Sequence, residues 1–247
     1  MRGSVALVTG GTRGIGAAIT ERVARTGVHV AAVYRSAEVT ARAFAEQLSG
    51  EGLSVSIHAA DLAEPSACRA VVEEVAASHG PVDYLVNNAG VLIESKVVEV
   101  TESQWSHLLA ANLGSAFFLA QAVWQGMVDH GFGRIVNVGS VTATSGNPVE
   151  VAYGSAKAGM IGMTRSLAMA GARKGITVNC VVPGVFATDM VRGMRERDRE
   201  RIARMIPLGR VGDTHEFAHM VVSLLADEAS YVTGAVLMVD GGLGMGA

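Results

Sequence analysis

Cysteine is scarce: Cys68 and Cys180 are the only two, far apart and outside any CxxC spacing. That excludes a disulfide scaffold and predicts two buried thiols in a reducing, cytoplasmic setting. No charge of one sign dominates, since 20 Lys+Arg stand against 23 Asp+Glu. A nucleic-acid footprint needs clustered, uncompensated base, so that class is excluded. Residues 1–4 carry no signal-peptide pattern before the first strand-like run. The longest uncharged stretch, Ser103–Val128, has the length of a bilayer span. It holds His107, Asn112, Gln121 and Gln125, which are expensive in hydrocarbon, so it predicts a soluble helix buried on more than one side and no membrane partner. Lysine is the rarer base, with Lys96, Lys157 and Lys174 against seventeen arginines. GC-rich coding explains that ratio and leaves each lysine worth inspection.

What is present is core material. Hydrophobic residues make up 49% of the 247 and charged residues 17%, enough to bury a large interior. Short apolar runs at Val5–Thr9, His29–Tyr34, Val55–Ala59, Tyr84–Asn87, Arg134–Gly139, Thr177–Val182 and Val236–Val239 read as buried strands. Between them Ile15–Arg25, Val39–Gly50, Pro65–Ser78, Trp105–Val128, Ala152–Arg173 and His215–Ala226 read as helices. The alternation predicts an α/β fold, one doubly wound domain over 1–247 with a parallel sheet and helices on both faces. A mixed-charge run, Arg192–Arg201, interrupts it. Asp198/Arg201 and Glu200/Arg204 are spaced to pair along a solvated helix, and the position after a strand end predicts a mobile lid over about 185–212.

Thr9-Gly10-Gly11-Thr12-Arg13-Gly14-Ile15-Gly16 lies between the first strand and the first helix. Glycines there allow a tight turn and let backbone N–H groups approach a pyrophosphate at the helix N-terminus. The spacing is GxxxGxG, not the usual GxGxxG. An acid closing the second strand would select NAD through its 2′-hydroxyl, but none occurs between Glu21 and Glu38. Arg13 and Arg35 can instead flank a 2′-phosphate, which predicts NADP(H).

Tyr153 and Lys157 are four apart and share one helix face. A phenol is a weak acid, with an ordinary pKa of about 10. A neighbouring ammonium is expected to favour the phenolate and bring it toward working pH. Ser140, just past the fifth strand, can offer its hydroxyl to a substrate oxygen. His215-Glu216-Phe217-Ala218-His219 spells the HExxH of zinc proteases. A catalytic zinc needs a third protein ligand, and no partner follows. Gly212-Asp213 reads as a helix start, so no metal is expected.

Together, TGxxxGIG at Thr9–Gly16, Asp61-Leu62, NNAG at Asn87–Gly90, Asn112, Ser140, YxxxK at Tyr153–Lys157, and Pro183-Gly184 with Thr188 make the chain resemble the short-chain dehydrogenase/reductase family over nearly its whole length. The resemblance implies a Rossmann sheet of seven strands and hydride transfer between a nicotinamide and a carbonyl or alcohol carbon. It implies Tyr153 as proton donor or acceptor, Ser140 orienting the substrate oxygen, Lys157 on the nicotinamide ribose, and Asn112 holding a relay water. The implied cofactor residues are Gly10, Thr12, Arg13, Gly14, Ile15, Gly16, Arg35, Ser36, Asp61, Leu62, Asn88, Ala89, Gly90, Tyr153, Lys157, Pro183, Gly184, Phe186 and Thr188. Asp61-Leu62 would bracket the adenine, and Phe186 and Thr188 would meet the carboxamide.

Within the family the chain looks most like β-ketoacyl-acyl-carrier-protein and acetoacetyl-CoA reductases, through Gly133–Ser140, Ala156–Gly159, Gly175–Asn179 and Ala187–Met190. A 3-oxoacyl thioester is then the implied substrate and an acyl carrier protein a candidate partner. Three positions depart: Glu150 where Gln is usual, Ala152 where Asn is common, and Gly131 in place of half a basic pair completed by Arg173-Lys174. Alcohol or polyol dehydrogenases and polyketide or secondary-metabolite ketoreductases stay open, because substrate choice lives in Val141–Ala152 and the lid. Readings of another class are a zinc hydrolase and a non-catalytic NADP sensor.

Leu109, Leu113, Ala116, Phe117, Ala120 and Val123 spread around their helix further than one contact needs. Ala156, Met160, Met163, Leu167 and Ala170 repeat this on the next. A monomer would expose more apolar surface than is usual. The family habit implies a homotetramer built on these helices, with 241–247 near a second two-fold axis.

Overall fold

The computed structural model describes Met1 and residues 4–246; expectations that reach Arg2, Gly3 or Ala247 lie outside the described residues. The apolar runs become strands β1 (Val5–Thr9), β2 (His29–Tyr34), β3 (Val55–Ala59), β4 (Tyr84–Asn87), β5 (Gly133–Val138), β6 (Ile176–Pro183) and β7 (Val236–Val239). All pair in parallel, in the order β3-β2-β1-β4-β5-β6-β7. Every residue of β1, β4 and β5 is buried. Helices cover both faces of such a sheet, so its central strands need no polar alternation.

The main helices are α1 (Gly14–Ala24), α2 (Glu38–Gly50), α3 (Pro65–His79), α4 (Glu102–Leu109), α5 (Ser115–His130), α6 (Thr142–Ser145), α7 (Val151–Gly171), α8 (Asp189–Arg192), α9 (Glu196–Met205) and α10 (Thr214–Leu225). On one face Ile19 and Val23 of α1 meet Phe217 and Val221 of α10 over Val8 and Val136. On the other, Val71 and Val75 of α3, Leu119 and Val123 of α5 and Ala168 of α7 cover Leu7, Leu85 and Ile135. The strand order reverses between β1 and β4, which opens the ligand crevice at their C-terminal ends.

Two expectations need correction. The helix expected as one piece over Trp105–Val128 is three: α4, a π-helical turn at Ala110–Gly114, and α5. The Asn112 amide donates to Val91 O at 2.9 Å and to Leu108 O at 3.0 Å, which ties the wide turn to the chain after β4. A π turn loses regular i→i+4 bonds and persists where side chains compensate it. The span Glu102–His130 is long and apolar enough to cross a bilayer, yet Leu119, Ala120, Val123 and Met127 are buried on the sheet. The second correction is in the lid region. Among the described residues its ion pairs are Arg192–Asp189 at 3.9 Å, Arg197–Asp198 at 3.8 Å and Arg210–Glu216 at 2.7 Å, not Asp198/Arg201 or Glu200/Arg204. Exposed pairs contribute only tenths of a kcal/mol, too little to dictate partners.

Candidate active site

The glycine-rich turn is bolted to the end of β4 by one hydroxyl. Thr9 Oγ1 accepts the N–H groups of Asn88 and Ala89, each at 2.9 Å, and donates to Val86 O at 3.3 Å. Asn88 Nδ2 returns the clasp to Thr9 O at 2.8 Å and Gly10 O at 3.2 Å. Gly10 and Gly14 have φ of +60° and +54°, which other residues rarely adopt. A Cβ on Gly16 would collide with the Gly10 carbonyl. Arg13 caps α1 in extended conformation, its side chain makes no bond to the free amides, and no acid sits in the first turn. Those amides and the helix dipole are therefore directed at an anion. Across the gap, Thr188 Cγ2 would lie 3.4 Å from a Cβ at Gly14. A pyrophosphate fits this cradle.

Around it the expected cofactor residues divide. Arg13, Arg35 and Ser36 are exposed, the latter two just past β2, and neither arginine takes part in an ion pair among the described residues. Asp61 lies exposed two residues past β3 and accepts Ala63 N–H at 3.1 Å. Thr12 is buried, and Ile15 packs against the core beneath the turn. Leu62 and Phe186 give their side chains to the core, Phe186 edge-on to Phe217 at 5.3 Å between centroids. What they offer a nucleotide is main chain. Pro183 closes β6, and Gly184 N–H bonds Val239 O at 3.0 Å as part of the floor.

The catalytic candidates converge beside this turn. Lys157 is only 2% exposed, and its Nζ donates to Val138 O at 2.8 Å. Burial pushes its pKa down to about 8. A Cβ on Gly90 would lie 2.7 Å from Asn112 Oδ1 and 3.6 Å from Lys157 Nζ, so Gly90, Asn112 and Lys157 share one corner. The Tyr153 hydroxyl lies near enough to Ser140 for the serine side chain to favour its phenolate. Ser140 Oγ also accepts Thr142 N–H at 3.2 Å.

The Tyr153 pKa does not fall as expected. Burial holds it above its ordinary value, the neighbouring Ser140 side chain opposes that, and the Glu150 carboxylate adds to it. The reason is placement: Lys157 commits a proton to Val138 and faces the tyrosine ring, 5.8 Å from its centroid. Asn112 is likewise committed, with both amide protons on main-chain oxygens and Oδ1 accepting Val91 N–H at 3.1 Å.

Sequence reasoning missed several supporting residues. Asn87 Nδ2 donates to Asn137 Oδ1 at 2.8 Å, Asn137 Nδ2 to Thr164 Oγ1 at 2.9 Å, and Thr164 Oγ1 to Met160 O at 2.8 Å. This buried chain ties β4 and β5 to α7 and so sets Tyr153 and Lys157 over the strand ends. Its signal was a polar residue inside otherwise apolar runs, which must find a partner when buried. The HExxH segment proves to be a helix start. Asp213 accepts His215 N–H, Glu216 accepts Asp213 N–H, each at 2.8 Å, and Glu216 pairs with Arg210 at 2.7 Å. His219 Nδ1 meets the Arg22 guanidinium.

A phosphate cradle at the β1/β4 switch, with a Ser–Tyr–Lys cluster next to it, defines a dinucleotide-dependent oxidoreductase site. The chain belongs to the short-chain dehydrogenase/reductase family and works with a nicotinamide cofactor: a family model described as "Enoyl-(Acyl carrier protein) reductase" matches residues 10–244. It is 44% identical over 239 residues to the "Acetoacetyl-CoA reductase" of Rhizobium meliloti, covering 96% of this chain and 97% of that protein. It is 40% identical over 243 residues to the 3-oxoacyl-(acyl-carrier-protein) reductase FabG of Escherichia coli, covering 98% of each.

Proposed function

We propose that the protein reduces a 3-oxoacyl thioester to the 3-hydroxyacyl thioester with NADPH. The observation that carries this reading is the Ser140–Tyr153 hydroxyl pair beside buried Lys157. A bound nicotinamide supplies the hydride. Ser140 holds the substrate oxygen, and Tyr153 gives it a proton as the new C–H bond forms. Lys157 would hold the nicotinamide ribose, and its charge would then favour the phenolate left behind. Two adjacent hydroxyls suit a carbonyl oxygen better than the carbon–carbon double bond of an enoyl group. The names of the two relatives support the thioester. Exposed Arg13 and Arg35, with no acid beside them, support the 2′-phosphate of NADP.

Both thioester carriers belong in the assay. Lys174 Nζ stands 5.8 Å from the Trp124 ring centre, beside Arg173, and is available to an acidic carrier protein. Its expected companion position is Gly131, at φ +62° after α5, where an arginine would cost about 1–2 kcal/mol in backbone strain. NADPH oxidation should be fast with acetoacetyl-CoA or a carrier-bound ketoacyl chain and slow with simple ketones or polyols. NADPH should exceed NADH by at least tenfold in kcat/KM, about 1.4 kcal/mol, and Arg35→Asp should narrow that ratio. Turnover confined to simple ketones, or equal use of both cofactors, sinks the corresponding half of the assignment.

The same proposal places the enzyme in the cytoplasm as one domain, with α8 and α9 closing over the substrate. It is a homotetramer. Trp105 and Phe117 are each 40% exposed in the protomer and Met169 is 84% exposed, on the helices expected to pair. Light scattering should return about four times the 25.5 kDa chain mass. A mass of 25.5 kDa would refute it.

A further inference from the structure

Glu150 stands at the N-terminal boundary of α7, three residues before Tyr153, and its side chain makes no bond to the free amides of that helix. Its carboxylate spans the substrate loop. Oε2 accepts from Thr142 Oγ1 at 2.8 Å and Oε1 accepts from Asn147 Nδ2 at 2.7 Å. Its main chain joins both sides, taking Gly154 N–H at 2.7 Å and donating to Asn147 O at 3.1 Å. Thr142 in turn gives its N–H to Ser140. One side chain thus links the segment that carries Ser140 to the helix that carries Tyr153.

No cation neutralises this carboxylate among the described ion pairs; both its oxygens are held by neutral donors. The ionisable groups around Tyr153 are few. Lys157 shares its helix and is bonded to Val138. Cys180 on β6 lies beside Lys157 and is a neutral thiol, its pKa pushed up to about 11 by burial. Glu102 and His107 belong to α4, which packs on α7. Of these groups, Glu150 is the one whose negative field reaches the phenol and opposes loss of its proton.

Resting on the ketone-reductase reading above, we propose that Glu150 is a positioning residue that holds Ser140 in register with Tyr153 and keeps the phenol in its protonated form to higher pH, which extends the pH range of ketone reduction. Two variants separate the parts. Glu150→Gln keeps the brace: its oxygen still accepts from Asn147, and its amide donates to the Thr142 hydroxyl after that hydroxyl turns. It removes only the charge. The basic limb of ketone reduction and the acidic limb of alcohol oxidation should then both move to lower pH, with plateau turnover retained. Glu150→Ala should show the same displacement and lose about tenfold in kcat/KM, because the loop under Ser140 is released. Thr142→Val should reproduce that loss with the pH profile in place.

A second readout needs no substrate. Ultraviolet titration of phenolate, assigned by its absence in Tyr153→Phe, should show Tyr153 ionising at lower pH in Glu150→Gln than in the native protein. A failed thioester assay would therefore overturn the substrate reading and leave this one testable. Superimposable titrations of native protein and Glu150→Gln overturn the electrostatic role, and Glu150→Ala with native kcat/KM overturns the brace.

Discussion

Replacing Tyr153 with phenylalanine should lower turnover by about 10²-fold or more, the usual worth of a positioned acid. The ring stays and the transferable proton goes. Cofactor affinity should survive, because the buried ammonium of Lys157 is anchored to the Val138 carbonyl rather than to the phenol. Ser140 loses the neighbouring hydroxyl but keeps the Thr142 N–H, so the loop should hold its shape. The diagnostic result is a split: single-turnover reduction collapses while NADPH fluorescence titration returns a native Kd. Near-native turnover would mean that the proton comes from elsewhere and that the Ser–Tyr pair is structural.

The parts of this molecule legible in its sequence were those in which one residue type serves one physical demand. Central strands buried at every residue need an unbroken run, so β1 and β4 ended where their runs ended; β2, β3 and β7 kept their expected ends as well, although the edge strands β3 and β7 are only partly buried. The turn at Gly10–Gly16 could be read because only glycine meets its positive φ and close backbone approach. Tyr153 and Lys157 were legible because four residues of helix bring two side chains together. What was hidden depends on direction and on partners distant in sequence. Leu62 and Phe186 lie within the expected nucleotide segments, but only the fold shows their side chains turning inward. The clasp from Thr9 to Asn88 and the relay from Asn137 to Thr164 each join segments that no local spacing relates. The π turn at Ala110–Gly114 is invisible to periodicity, since the apolar pattern runs through it and the cause is the Asn112 bond to Val91. Glu150 was readable as an odd residue but not as a brace, because its partners Thr142 and Asn147 are defined by the shape of the loop.

The cradle geometry makes a demand that can be tested at one atom. A methyl group added at Gly16 would overlap the Gly10 carbonyl and stand 2.6 Å from Asn88 Nδ2. Neither neighbour is the free end of a flexible chain. The Gly10 carbonyl is backbone and already accepts from Asn88, while Asn88 is clamped through Thr9. Gly16→Ala must therefore displace the turn itself. Overpacking of this kind costs about 1–3 kcal/mol, and backbone against backbone belongs at the upper end. For a chain of this size each kcal/mol is worth about 2–4 °C, so the melting temperature should fall by at least about 6 °C. The displaced amides should also raise the KM for NADPH by roughly tenfold or more, as a lost set of charge-assisted bonds requires. Gly50→Ala is the matched control. It sits at the end of α2 with open space where its Cβ would be, and should stabilise by about 0.4–1 kcal/mol through the unfolded chain. If both variants melt and bind NADPH like the native protein, the clasp between Thr9, Gly10 and Asn88 does not hold the turn in the form described.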